Sequence, residues 1–171
     1  MRFGAYWLMA CASLTLAGCG SALAPRSSPG VASNTCLTTR PPAAPLRAPA
    51  PDAVLPEYAG QFLYGTTDLW TALRSDGTWS GLPMDSKGYT QKVFWWSAHY
   101  RAGGEPTPAL TVTGKRLDAE TGPLIASAAT NASADFGEAM LVGVVLPESG
   151  CWEITGNYRG HDLSFVVRVV P

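Results

Sequence analysis

Alternation between apolar and polar positions is clearest at the C-terminal end of the chain. Trp152 and Ile154 alternate with Glu153 and Thr155, and Leu163, Phe165, Val167 and Val169 alternate with Ser164 and Arg168. A period of two places each apolar set on one face of a strand. With Asn157 to His161 between them, including Gly160, the two runs predict a hairpin with one buried face. Leu110-Thr111-Val112-Thr113 repeats the period, and Gln91 to Ala98 carries Val93, Phe94, Trp95 and Trp96, residues that suit a pleated surface. Met140 to Leu146 is apolar at both parities around Gly143, as a central strand requires. Gln61 to Tyr64 and Leu69 to Leu73 flank Gly65-Thr66-Thr67-Asp68, and Ser75-Asp76-Gly77 turns into Trp79. No segment carries a sustained 3.6-residue period with caps, so helix is expected to be minor. The pattern predicts an all-β fold, an antiparallel β-sandwich of immunoglobulin-like type over residues 56–171.

The preceding segment cannot extend that core. Residues 20–55 are dominated by Pro, Ala and Ser, with seven prolines between Pro25 and Pro51 and no aromatic residue. Such a composition buries too little apolar area to fold and reads as an extended, semi-rigid spacer rising about 3.1 Å per residue.

At the other end, Arg2 precedes the apolar stretch Phe3 to Gly18, which closes on Leu16-Ala17-Gly18-Cys19. This is the layout of an export signal, too short for a spanning helix. The tetrapeptide resembles a bacterial lipobox, which implies a signal peptide over residues 1–18, a diacylglyceryl thioether on Cys19, cleavage before it and N-acylation, palmitate being a typical chain. Residues 19–55 then form a lipidated tether, and the partner this implies is the membrane, on its extracytoplasmic side. The alternative is secretory cleavage after Ala22-Leu23-Ala24, which would leave Pro25 in an unfavourable place after the cut.

Of four cysteines, Cys11 lies in the signal and Cys19 takes the lipid, so Cys36 and Cys151 remain. Outside the cytosol two leftover thiols are expected to pair as a disulfide, and a metal role lacks the CxxC spacing of a zinc site. With Cys151 directly before Trp152, alternation puts it on the outer side of the closing hairpin. The segment from Cys36 would then strap the outside of the sandwich, residues 37–55 covering apolar surface such as one of Trp95 and Trp96. The chain has 12 basic and 13 acidic residues, and loss of Arg2 leaves 11 against 13, so nothing here attracts nucleic acid.

The stretch Gly150-Cys151-Trp152-Glu153-Ile154-Thr155-Gly156 with Leu163-Ser164-Phe165-Val166-Val167 resembles the closing hairpin of Ig-like domains in uncharacterised bacterial surface lipoproteins. Tyr64 to Trp70, Gln91 to Trp96 and Leu110 to Asp118 look like further parts of that pattern. The resemblance implies a fold and a cell-envelope address, and no activity.

A search for chemistry yields no catalytic residue, cofactor-binding motif or metal ligand set. Gly77-Thr78-Trp79-Ser80-Gly81 has its Ser one place away from a nucleophile elbow, and Thr113-Gly114-Lys115-Arg116 lacks the features of a phosphate loop. His99 and His161 are distant in sequence, with Glu105 and Asp162 as acidic neighbours, and read as separate surface turns. Lys115, Arg116 and Arg101 read as a solvated face, and Ser75 to Trp79 as an Asp-Gly turn. Trp95 and Trp96 cannot both point into one core layer. One of them is therefore a candidate for a ligand face, with Trp79 as a further candidate, or for burial under the tail. The expectation is a non-enzymatic binding or structural module, its partner an envelope protein or a glycan. The alternatives are a glycan-binding module using Trp79, Trp95 or Trp96, and an envelope enzyme using an acidic pair such as Asp118 and Glu120.

Overall fold

The computed structural model describes residues 35–44, 46 and 60–171. The segment expected to be an export signal, the expected lipidation site Cys19 and most of the Pro-rich spacer lie outside these residues. Among the described residues no helix is long and apolar enough to cross a membrane, and the helical content is a single 3-10 turn at Ala134–Phe136.

Among the described residues, eleven strands form two sheets. The first contains β1 (Gln61–Gly65), β2 (Trp70–Arg74), β5 (Gly88–Trp96), β9 (Ala139–Leu146) and β7 (Ile125–Ala126) in that order, with β4 (Met84–Asp85) on β5 and β8 (Thr130–Asn131) on β9. The second runs β3 (Thr78–Trp79), β11 (His161–Val169), β10 (Gly150–Tyr158), β6 (Thr111–Arg116). Setting aside β1 and the two-residue β4 and β8, the first sheet has the order of an immunoglobulin-type ABED sheet and β6, β10 and β11 that of CFG. The expected all-β sandwich is what the chain forms. The short strands β3, β4, β7 and β8 escape a reading by periodicity because two residues carry no period. One of them, β3, adds to β11 in parallel.

The closing hairpin pairs from Gly150↔Val169 to Tyr158↔His161. Its loop is therefore just Arg159-Gly160, both at positive φ (53° and 85°), which is the I′ geometry that matches strand twist. Arg is uncommon at such a φ, so the sequence predicts a turn but not this tight one.

The core lies between the sheets. Trp95 of β5, Trp152 and Ile154 of β10, and Phe165 and Val167 of β11 are all buried there. Trp96, one residue on from Trp95, points to the opposite face of the first sheet and is also buried, beside Trp70, its cross-strand partner, and Ala139. Phe94 and Phe136, stacked at 4.3 Å, and Leu46 of the Pro-rich segment cover this second cluster. The indole N–H of Trp96 donates to the Phe136 carbonyl oxygen at 3.1 Å.

Cys36 and Cys151 are joined, with Cα atoms 5.5 Å apart, inside the usual bridging range of about 4.4–6.8 Å. Cys151 is buried although it faces away from the inter-sheet core, because the tail lies over it. Beyond Cys36, Thr39 donates its N–H to the Val166 carbonyl oxygen and accepts the Val166 N–H on its hydroxyl, each at 2.8 Å. This continues the edge of β11 where β3 stops. The segment is an outer strap that also closes an exposed strand edge.

Replacing Cys36 or Cys151 by Ser is expected to lower stability by about 2–5 kcal/mol, since the bond closes a loop of 115 residues in the unfolded chain. The sandwich should remain folded while the strap becomes open to protease. Thermal melts with limited proteolysis check this; unchanged melting and an unchanged cleavage pattern would contradict it.

Candidate functional site

Three loops meet at one end of the sandwich, and each is placed by a strand already described. The β1–β2 turn carries Asp68. Its shape is set by the Thr66 N–H donating to the Leu69 carbonyl oxygen and the Asp68 N–H donating to the Thr66 hydroxyl, at 3.0 and 3.2 Å. Gly65, at φ 133°, lets this turn close over Leu163, because a Cβ there would lie 2.9 Å from the Leu163 side chain and 2.8 Å from the Trp70 Cα. The exit of β5 carries His99. Its backbone is held by the Ala98 N–H donating to the Thr67 carbonyl oxygen and the His99 N–H donating to the Ser97 hydroxyl. The Arg159-Gly160 turn delivers His161, the first residue of β11.

These three side chains converge. His99 Nε2 is 3.0 Å from Asp68 Oδ1, His161 Nδ1 is 3.8 Å from Asp68 Oδ2, and the imidazoles stack at 5.4 Å and 12°. All three ligating atoms lie within 4.8 Å of one another. His99 and His161 are surface residues at turns, as expected, but the two turns bring them together. Their shared partner, Asp68, is close to neither in sequence, so no spacing signal could have found it.

The acidic neighbours named from sequence have other work. Glu105 accepts from the Tyr158 hydroxyl at 2.6 Å, the Ala109 N–H at 2.7 Å and the Arg159 guanidinium at 2.8 Å. These bonds, that from Tyr158 first, hold the Glu105 carboxyl below its ordinary range. Burial, together with Glu105, pushes the Tyr158 phenol up to about 12. Arg159 also lies over the Tyr158 ring at 5.2 Å, which occupies its charge and stabilises the unusual turn. Asp162 accepts from the Asn157 amide at 2.7 Å, and strand alternation turns it away from His161.

The other sequence candidates are structural. Trp79, Trp95 and Trp96 are 5%, 0% and 2% exposed, so the candidate ligand face they were to form is corrected. β5 is covered on both sides, and none of the three presents a planar face to a glycan. Arg116 is not solvated either, since it pairs with Asp118 at 2.7 Å and with Glu148. Burial opposes ionisation of Asp118, but hydrogen bonds from Arg116 and the Cys151 backbone outweigh it and hold the carboxyl low. Glu120 lies exposed in the following loop. Lys115 is the solvent-facing member of that group, near Glu153 at 3.5 Å. Arg101 turns back to the carbonyl oxygens of Ala98 and Tyr100. Ser75 to Trp79 is the expected turn, with Asp76 accepting the Thr78 N–H at 3.0 Å.

No family model matches the chain, and no curated protein matches it. Among solved structures the chain is similar to that of a candidate lipoprotein from Bacillus anthracis, at 12% identity over 66% of this chain and 81% of that one. The TM-score of 0.36 is too low to transfer topology or role.

The Glu105–Tyr158 bond predicts a loss of stability at both ends of the pH range. A phenol raised from an ordinary value of 10.0 to about 12 contributes stability that is complete below pH 10 and lost as pH rises toward 12. The lowered Glu105 carboxyl contributes stability present above its ordinary range and lost as pH falls through its folded value. Tyr158→Phe should cost about 1–3 kcal/mol near neutrality and flatten the alkaline limb. Parallel pH profiles of melting for the two proteins would contradict the assignment.

Proposed function

We propose that this chain is a lipid-anchored, extracytoplasmic module whose immunoglobulin-like sandwich has a non-enzymatic binding or structural role, with the loop end of Asp68, His99 and His161 as its ligand-facing end. The observation that carries this reading is the placement of strap and loops along β10. Cys151 lies at one end of the strand and Tyr158 at the other, against the Arg159-Gly160 turn. At about 3.4 Å per residue the strap attachment and the loop end stand roughly 24 Å apart. A tether that leaves from Cys36 therefore holds the sandwich by one end and presents the other. The disulfide supports an oxidising compartment. The export signal and Leu16-Ala17-Gly18-Cys19 supply the route and the anchor. The non-enzymatic reading draws on the carboxylates: Glu105 and Asp118 are held ionised by hydrogen-bonded partners, the reverse of the tuning a general acid needs.

The test is expression of the full chain in a bacterium, with membrane fractionation and intact mass spectrometry. A mature protein beginning at acylated Cys19 is expected in the membrane fraction, and Cys19→Ala should abolish both acylation and membrane retention. An unmodified chain beginning at Pro25 would overturn the lipid anchor.

A further inference from the structure

We infer that Asp68, His99 and His161 form a binding site for a divalent transition-metal ion, with Zn²⁺ as the fitting probe. The inference goes beyond the proposed address and does not depend on the lipid anchor. Two imidazoles and a carboxylate are the donor set that borderline ions such as Zn²⁺ prefer, whereas Ca²⁺ and Mg²⁺ favour sites built wholly of oxygen.

The geometry is within reach of an ion. Ligands about 2.0–2.1 Å from a tetrahedral centre stand about 3.4 Å from one another. The donor atoms here fall within 4.8 Å, with 3.0 Å and 3.8 Å for the two carboxylate–imidazole pairs. Closing the widest gap needs at most about 1.4 Å of movement, 4.8 Å less the tetrahedral spacing, by side chains that are 42–49% exposed.

How the segments that carry them are held is the second observation. Asp68 sits in a hydrogen-bonded turn whose Thr67 carbonyl oxygen accepts from Ala98, the residue before His99. The His99 carbonyl oxygen accepts from Arg159 at 3.4 Å, and Arg159 is two residues from His161. Each ligand-bearing segment is thus tied to another, by a backbone hydrogen bond in one case and by the Arg159 side chain in the other, and neither tie involves the donor atoms. Arg159 itself is paired with Glu105 at 2.8 Å. Asp68 with two neutral imidazoles carries one negative charge, which a dication over-neutralises by one. The three protein ligands leave a fourth position open at the surface, as in sites that bind water or a further donor.

The experiment uses the untagged full chain in detergent, which matters because His99 and His161 are its two histidines. Calorimetric titration with Zn²⁺ should show one ion per chain, and the imidazole nitrogen NMR signals of both histidines should shift together. His99→Ala and His161→Ala should each weaken binding by more than the roughly 10- to 100-fold that loss of a mere outer partner costs. Asp68→Asn, which keeps the shape and removes the charge, should weaken it as well. Melting in chelator reports whether each variant is folded, and Ca²⁺ in place of Zn²⁺ should give no saturable binding. Zn²⁺ that leaves the imidazole signals unmoved would overturn the site. So would binding that survives His99→Ala in a folded variant. Asp68 substitutions that alter only the melting temperature would reduce the cluster to a hydrogen-bonded clamp.

Discussion

The two sheets can close because Gly156 stands in the middle of β10. Opposite it, across the sandwich, the indole of Trp95 occupies the space that a side chain would take, so a Cβ at residue 156 would lie 2.6 Å from the ring. Phe165, on the neighbouring strand, meets the same indole at 5.7 Å. The disulfide plays no part in this contact, since it lies on the outer face between the strap and Cys151. Sheet-to-sheet spacing therefore rests on one large residue seated on the smallest one. The seat has a cost, because the Trp95 indole N–H finds no hydrogen-bond partner among the described residues. Burial of so large a ring, worth roughly 25 cal/mol per Å² of apolar surface, works against that cost.

From this contact the register carries outward to the surface. Trp95 fixes β5 along its length, and its pairing from Tyr89↔Leu146 to Trp96↔Ala139 sets where the strand ends. His99 follows three residues later. Gly156 fixes β10, whose pairing with β11 runs on to Tyr158↔His161. The two histidines meet because two strands locked together at the core end at the same level. A one-residue slip in either would move its imidazole to the other side of the sheet. The strap joins at the opposite end of β10, so the disulfide and the Asp68–His99–His161 cluster share no residues.

Much of this was legible in the chain. Alternation revealed β6, β10 and β11, the aromatic run revealed β5, and the two thiols left after Cys11 and Cys19 pointed to the Cys36–Cys151 bond. Periodicity also showed that Trp95 and Trp96 face opposite ways. The expected cover from residues 37–55 is in place through Leu46, whereas the contribution of Phe136, 40 residues on from Trp96, carried no signal in the pattern. The same limit hid the site: Asp68, His99 and His161 belong to three separate loops, and their meeting depends on sheet register rather than on any local pattern. The turn at Arg159 was obscured by its own exception, a non-glycine residue at φ 53° whose guanidinium is held by Glu105.

The central claim is that the Trp95–Gly156 contact sets the distance between the sheets, and a thermodynamic cycle on that pair tests it most directly. Elsewhere in a strand, Gly→Ala stabilises by restricting the unfolded chain. Here Gly156→Ala should instead destabilise by about 1–3 kcal/mol through overpacking. Combined with Trp95→Leu, which vacates the space the new methyl needs, the loss caused by Ala at 156 should shrink, giving a coupling of roughly 0.5–3 kcal/mol. A neutral or stabilising Gly156→Ala, or effects of the two substitutions that simply add, would contradict the account.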